Sequence, residues 1–231
     1  MPPAVLAGID RVIIRTQRTQ SLGRLNWPHG DTMKLGIFGG TFDPVHLGHL
    51  ILAERCREQC ELDEVWFVPA ASPPHKDDET ITPAHKRAEM LEFAVTGCPH
   101  LAVSRIEFER KGPSYTVDTL QQLHDEGVDR ELFLLIGADS LHDLGSWREP
   151  ERIASLATIV AVNRGREPLP NRDAMTASLG ESIASRIVHV DIPPVDISAT
   201  ELRARVSADK TIRFLTPRAI EAYIRENELY R

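Results

Sequence analysis

Leu35-Gly36-Ile37-Phe38-Gly39-Gly40-Thr41-Phe42-Asp43-Pro44-Val45-His46-Leu47-Gly48-His49 is the stretch on which the reading of this chain turns. Its first four residues form a short apolar run that stops at two glycines, the pattern of a buried strand closed by a tight turn. A helical pattern follows over 47–61, with Leu52, Cys56 and Cys60 on one face and Glu54, Arg55, Arg57 and Glu58 off it. A strand that turns sharply into a helix offers unpaired N–H groups and the positive end of the helix dipole, a natural place for phosphate. Gly39 and Gly40 let the backbone turn and approach a ligand closely. Gly48 is read as leaving room that a side chain would deny a polyphosphate. His46 and His49 are three apart and point the same way on a helical turn, so both rings can donate to phosphoryl oxygens as charge develops there. The stretch is neither a P-loop, since no Gly-Lys-Ser/Thr follows, nor Gly-x-Gly-x-x-Gly.

Outward from it, strand and helix patterns alternate. Val65–Val68 reads as a strand stopped by Pro69, and a polar, Pro-rich loop runs from Ala70 to Thr82. Pro83 suits the first turn of a helix reaching about Val95. Leu101–Val103 reads as a short strand that Ile106-Glu107-Phe108 extends or follows, and Ser114–Glu126 as a helix. Leu132–Ile136 is the most apolar strand, Thr158–Val162 and Ile187–Val190 are two more, and helices start near Ser198 and at Thr216-Pro217. Apolar strands alternating with helices imply a parallel sheet covered on both faces, hence an α/β, Rossmann-like, doubly wound fold. Ligands in such folds sit beyond the carboxyl ends of the strands. The loops expected to carry function are therefore 39–49, 69–82, 110–116, 137–147, 163–166 and 191–200.

The chain has 231 residues, enough for one compact domain with an appendage. Its net charge of −7 argues against a non-specific grip on nucleic acid and leaves room for a small anion held by local cations. No apolar run approaches the length of a membrane span. Cys56, Cys60 and Cys98 make neither a disulfide framework nor a zinc pair, and reduced thiols point to the cytoplasm. Residues 1–33 hold four Arg and two Asp, a net +2, and the apolar stretch Ala4–Ile9 is too short for a secretory signal. That leader shows no apolar stripe that demands burial, so it reads as a poorly ordered extension. Oligomeric state is left open.

A second constellation is Asp196-Ile197-Ser198-Ala199-Thr200-Glu201-Leu202-Arg203. Ser198 with Glu201 three later is a capping box. Beyond the cap, the Ser198 and Thr200 hydroxyls, the helix amides and the Arg203 fork can reach one polyphosphate. Four further segments stand at ligand-facing ends: Pro73-Pro74-His75-Lys76, Ser114-Tyr115-Thr116-Val117-Asp118-Thr119-Leu120, Ile136-Gly137-Ala138-Asp139-Ser140-Leu141 with Trp147 after it, and Asn163-Arg164-Gly165-Arg166. Taken singly, each is equally an exposed turn, a helix cap, a packing residue or solvated charge.

Together they form a pattern. The string Gly39–His49 resembles the His-x-Gly-His signature of the nucleotidyltransferase superfamily, and more closely the opening motif of the bacterial nicotinate-nucleotide adenylyltransferases. Ile197, Ser198, Thr200 and Arg203 resemble the superfamily's late Ile-Ser-x-Thr-x-x-Arg motif, with Ala199 where many members have Ser. The middle segments resemble the nicotinate-nucleotide branch, with Arg148 where some relatives place an aromatic after the Trp. The resemblance covers residues 34–231. It implies a nucleotidyltransferase that moves AMP from ATP to nicotinate mononucleotide, giving deamido-NAD and pyrophosphate, with Mg²⁺ accompanying ATP. It further implies His46, His49 and Arg203 as catalytic. Gly39, Gly40, Thr41, Phe42, Gly48, Ser198 and Thr200 would then bind ATP and its phosphates. Lys76, Tyr115, Thr116, Asp139, Trp147 and Arg164 would contact the mononucleotide.

Three rivals compete with this reading: a sister nucleotidyltransferase with another acceptor or CTP, a fragment of a class I aminoacyl-tRNA synthetase, and a non-catalytic nucleotide-binding module. The middle segments speak against the first. The acidic charge and the lack of a Lys-Met-Ser-Lys-Ser-like loop speak against the second, and the presence of both histidines against the third.

Overall fold

The computed structural model describes residues 32–73, 81–126, 129–163 and 169–231. Its strands are β1 (Met33–Gly40), β2 (Glu64–Pro69), β3 (Leu101–Val103), β4 (Arg130–Gly137), β5 (Thr158–Asn163) and β6 (Ile187–Asp191). They lie in the order β3-β2-β1-β4-β5-β6, and every pairing is parallel. The chain therefore winds outward from β1 to one edge, returns to β4 on the other side of β1, and winds to the opposite edge. The expected doubly wound α/β sheet is present, and the switch between β1 and β4 leaves a crevice at their carboxyl ends.

The helices are α1 (Leu47–Gln59), α2 (Ala84–Val95), α3 (Thr116–Asp125), α4 (Ala138–Asp143), α5 (Pro150–Leu156), α6 (Arg172–Leu179), α7 (Glu181–Ala184), α8 (Ala199–Ser207) and α9 (Arg218–Glu226). Strand residues alternate between two apolar layers, as a period of two requires. Phe38, Phe67, Phe133, Leu135, Val160 and Val162 meet Leu52, Leu91, Leu202 and Ile220 from α1, α2, α8 and α9. Leu35, Ile37, Leu134, Ile136, Ile159 and Ala161 meet Leu120, Leu123 and Ile153 from α3 and α5. Both faces of the sheet are thus covered, which is why its strands are nearly continuous apolar runs.

Two sequence expectations change. Ile106–Glu109 is a 3₁₀ turn and does not extend β3. Glu107 turns inward there, and its carboxylate accepts the Thr119 hydroxyl at 2.7 Å, which a strand continuing outward would not allow. The 137–147 loop is largely α4 followed by a 3₁₀ turn over Leu144–Ser146, because Leu141 and Leu144, one turn apart, are both buried. The helices α5, α6 and α7 have no counterpart in the sequence reading. A proline at N1 starts α5, and Asn171 caps α6 by accepting from the Ala174 N–H at 2.9 Å.

The reading of residues 1–33 falls, except for its last two residues, outside the described residues, as do Pro74–Lys76 and Arg164–Arg166. Burial pushes the Cys56 thiol up to about 12 and raises Cys60 as well, so both stay neutral thiols packed on α1. No helix among the described residues is long and apolar enough to cross a membrane.

Gly36 marks the tightest point of the first layer. A Cβ there would lie 2.9 Å from Leu62, 3.0 Å from Val65 and 3.1 Å from Leu135. Gly36→Ala should therefore destabilise by about 1–3 kcal/mol through overpacking. For a domain of this size each kcal/mol lowers the melting temperature by about 2–4 °C. An unchanged melting temperature would mean that the three side chains give way freely.

Candidate active site

The turn between β1 and α1 lies at the crevice. Gly40 ends the strand, and Phe42 then adopts a left-handed backbone, φ 51°. The Phe42 ring folds back into the core at 3% exposure, edge-on to Phe38 at 5.4 Å and Phe67 at 5.6 Å. Left-handed backbone costs a non-glycine residue about 1–2 kcal/mol, whereas burying a Phe side chain gains about 1.5–3 kcal/mol. The ring is thus the anchor of the turn. A Cβ at Gly40 would sit 2.9 Å from it, so the ring takes the space beside this glycine. At Gly39 a Cβ would meet nothing within 4 Å.

His46 is the N-cap residue of α1, and its side chain is 2% exposed. Its imidazole stacks on that of His49, centroids 3.6 Å apart and planes at 21°. The two histidines are brought together as the spacing predicted. A Cβ at Gly48 would lie 3.0 Å from Nδ1 and 3.1 Å from Cε1 of His46, so the space beside it already holds the His46 ring. The His46 N–H donates to Nδ1 of His49 at 3.2 Å. A nitrogen that accepts an N–H carries no proton, so the neutral His49 ring has its proton on Nε2 and is a donor there. The edge of that ring rests against Phe42, 5.0 Å between centroids.

Side chains from distant elements hold the turn at alternate residues. Arg87 of α2, 1% exposed, donates to the carbonyls of Thr41 at 2.7 Å, Ala70 at 2.7 Å and Thr82 at 2.8 Å. Burial pulls Arg87 below the usual arginine range, and the Asp43 carboxylate works against that shift. Asp43, 4% exposed, accepts the Thr82 N–H at 3.3 Å and the Tyr230 hydroxyl. Its carbonyl accepts Nη1 of Arg203 at 2.7 Å, and Nη2 of Arg203 reaches the Thr200 hydroxyl at 3.3 Å. The Val45 carbonyl accepts the buried Thr216 hydroxyl at 2.8 Å, and the Leu47 N–H donates to the Leu215 carbonyl at 2.9 Å. One of the amides at the start of α1 is therefore taken up within the protein.

The second motif meets the first. Ser198 caps α8 by accepting the Glu201 N–H at 3.1 Å, and the Glu201 carboxylate lies 3.9 Å from Arg205. Thr200 is exposed beside it, and Arg203 is half-buried. On the other side of the crevice, the Ser114 hydroxyl accepts the N–H groups of Ala71 at 3.1 Å and Ser72 at 3.3 Å, tying the segment after β2 to the start of α3. Tyr115 is the N-cap residue of α3 and Thr116 its first residue. Arg148 lies over the Tyr115 ring at 4.8 Å and 3.7 Å from Asp118, which joins the half-buried Trp147 turn to the same corner. Asp139 is exposed in the first turn of α4, at the end of β4.

Residues 37–205 match the Cytidylyltransferase-like family. Over 200 residues the chain is 46% identical to a Thermomicrobium roseum protein named "Probable nicotinate-nucleotide adenylyltransferase", covering 86% of this chain and 92% of that protein. A Thermus thermophilus protein of the same name is 44% identical over 199 residues, covering 86% and 100%. The chain belongs to the nicotinate-nucleotide adenylyltransferase family. In fold it is also like the Plasmodium falciparum nicotinic acid mononucleotide adenylyltransferase complexed with NaAD, with a TM-score of 0.71 at 18% identity, over 86% of this chain and 97% of that one.

For this member of the nicotinate-nucleotide adenylyltransferases, the motifs point to the two histidines and Arg203 but not to the groups that hold them. Asp43 lies within the first motif with nothing local to mark its role, Thr216 reads only as part of a helix start, and Tyr230 carries no local signal. Arg87 does carry one: it shares its four-residue spacing with Leu91 and Val95, and all three are buried on one face of α2. A charged residue on an apolar stripe needs partners. Arg87→Met keeps the stem and leaves three carbonyls unpaired, at about 1–3 kcal/mol for each one buried. The Thr82 carbonyl is buried and the other two are partly buried, so urea unfolding should show a loss of about 1–3 kcal/mol or more. A loss near zero would mean that water replaces the guanidinium at all three.

Proposed function

We propose that this chain joins nicotinate mononucleotide to the AMP part of ATP, releasing pyrophosphate and forming deamido-NAD by direct in-line attack on the α-phosphorus. The observation that carries this reading is the stacked His46–His49 pair at the crevice, with Arg203 fastened to the same turn. The 5′-phosphate of the mononucleotide is already an anion near neutral pH, so no strong base is needed. The task is to bring two polyanions together and to neutralise charge as it shifts. Nε2 of His49 and the His46 ring donate to the α-phosphoryl oxygens. A guanidinium has five N–H donors, and those of Arg203 not committed to Asp43 and Thr200 hold the departing pyrophosphate with the Ser198 and Thr200 hydroxyls. Gly39, where the backbone is open, takes the close approach of the phosphates, and Gly40, Thr41, Phe42 and Gly48 shape the turn around them.

The pyridine ring stacks on Trp147. N–H donors around Tyr115–Thr116 and Trp147–Arg148 favour a carboxylate over an amide, whose NH₂ would face donors and find no acceptor. Asp139 contacts the same substrate, as do Lys76 and Arg164, which lie outside the described residues. Among the described residues no three His, Cys, Asp or Glu side chains are grouped to hold a metal ion. Both oxygens of Asp43 are bonded to protein donors. Mg²⁺ would accompany ATP, with phosphate oxygens and water as its ligands.

Incubation with ATP, Mg²⁺ and each pyridine mononucleotide in turn, with products weighed by mass spectrometry, should give deamido-NAD in clear preference to NAD. His46→Ala and His49→Ala should each lower turnover by about 10²–10³ while the protein stays folded. Equal use of the two mononucleotides would remove the pocket, and near-normal turnover in both variants would remove the mechanism.

Residues 34–231 are proposed as the catalytic unit, because β1 starts at Met33 and the family match begins at residue 37. A protein starting at Met33 should match the full chain in melting temperature and specific activity. A short form that is unstable or inactive would make the leader part of the domain.

A further inference from the structure

Tyr230 lies outside every motif of the two substrate sites, yet its hydroxyl ends on the phosphate turn. After α9 the chain doubles back, with the Leu229 N–H bonded to the Ile224 carbonyl at 3.0 Å. Glu228 and Tyr230 then both take left-handed backbone conformations, φ 51° and 64°. Non-glycine residues rarely adopt this region, and where they do the surroundings must hold them there. The result is that the Tyr230 ring packs against the apolar layer shared by α1, α2, α8 and α9, and its hydroxyl donates to the buried Asp43 carboxylate. Burial first, and the neighbouring Asp43 second, push the phenol far above its ordinary range, so it stays a donor at any physiological pH.

Asp43 is the hub of the turn. One carboxylate oxygen receives Tyr230, the other the Thr82 N–H, and its carbonyl receives Arg203. His46 follows three residues later, so a shift of Asp43 is passed along Pro44 and Val45 to the stacked imidazoles. Resting on the nucleotidyl-transfer reading above, we propose that Tyr230 is a positioning residue for catalysis: its hydroxyl fixes Asp43, and Asp43 fixes the turn that aims His46 and His49. The contact joins residues 187 apart in sequence. It makes the segment after α9 part of the support of the β1–α1 turn.

Tyr230→Phe removes the hydroxyl and keeps the ring in its apolar seat. The variant should melt close to wild type, and its kcat should fall by about 10- to 100-fold, the scale expected when a reacting group is misplaced by a fraction of its length. KM for ATP should rise while KM for the mononucleotide holds. Hydrogen exchange should quicken in residues 41–49 and remain unchanged in α3. Asp43→Asn reads the same link from the other side and should quicken exchange in 41–49 and in 227–230 together. The double variant should be no slower than Asp43→Asn alone, because the two groups act as one unit. Wild-type kcat and exchange in Tyr230→Phe would overturn the proposal. So would uniformly faster exchange across the domain with every KM unchanged, the mark of a merely structural residue. If Tyr230→Phe fails to fold, the exchange pattern of Asp43→Asn decides: a change confined to 41–49 overturns the link. Exchange needs no turnover, so a wild-type protein inactive on nicotinate mononucleotide would refute the parent reading and leave this test standing.

Discussion

A single guanidinium, that of Arg87, pairs three backbone carbonyls at the open end of the sheet, and the shape of the β1–α1 turn follows from that pairing. The turn must be rigid without regular structure of its own. Its buried polar groups therefore need partners from elsewhere, because each one left unpaired costs about 1–3 kcal/mol. Lysine could not replace this fork: a compact ammonium cannot satisfy three carbonyls spread over the plane of a guanidinium. Burying the charge is itself unfavourable, and Asp43 lies close enough to offset part of that cost.

On this frame the site divides between apolar and polar supports. Phe38, Phe42 and Phe67 form a dry floor of edge-to-face and tilted rings, and the His49 ring stands on it. Donors beside such a floor act in a lower dielectric than donors in water, which strengthens their hold on developing charge. The polar supports come from Arg87, Arg203, Thr216 and Tyr230, on α2, on α8 and on the segments before and after α9. Elements distant in sequence converge on residues 41–47, and the switch between β1 and β4 is the place where the fold lets them do so.

How much of this was legible in the sequence depended on range. The inner strands could be read because burial on both faces writes them as nearly continuous apolar runs, and the half-exposed edge strand β6 from its β-branched residues Ile187, Val188 and Val190. The helices α1, α2, α3, α8 and α9 could be read from their periodicity and from starts such as Pro83, Ser198 and Pro217. The turn over Ile106–Glu109 and the short helices α4 to α7 could not, since a single buried pair such as Leu141 and Leu144 falls below what periodicity resolves. In the site, His46, His49, Thr200 and Arg203 were visible because motifs are local. The bonds from Arg87, Thr216 and Tyr230 span 46, 171 and 187 residues, and no local pattern encodes such separations.

The three motif glycines make the same point at atomic scale. A glycine in such a turn is naturally read as space for a ligand, and here that space is open at one position of three. At Gly40 the space is filled by the protein's own Phe42 ring, and at Gly48 by the His46 imidazole. Both glycines therefore make room for another of the protein's own side chains. Only at Gly39 is the space beyond the backbone empty. An anion reaching the turn can touch main chain there and meets an aromatic ring or an imidazole at the other two. Main chain is thus open at the Gly39 end of the turn and screened by the protein's own side chains at the other two glycines.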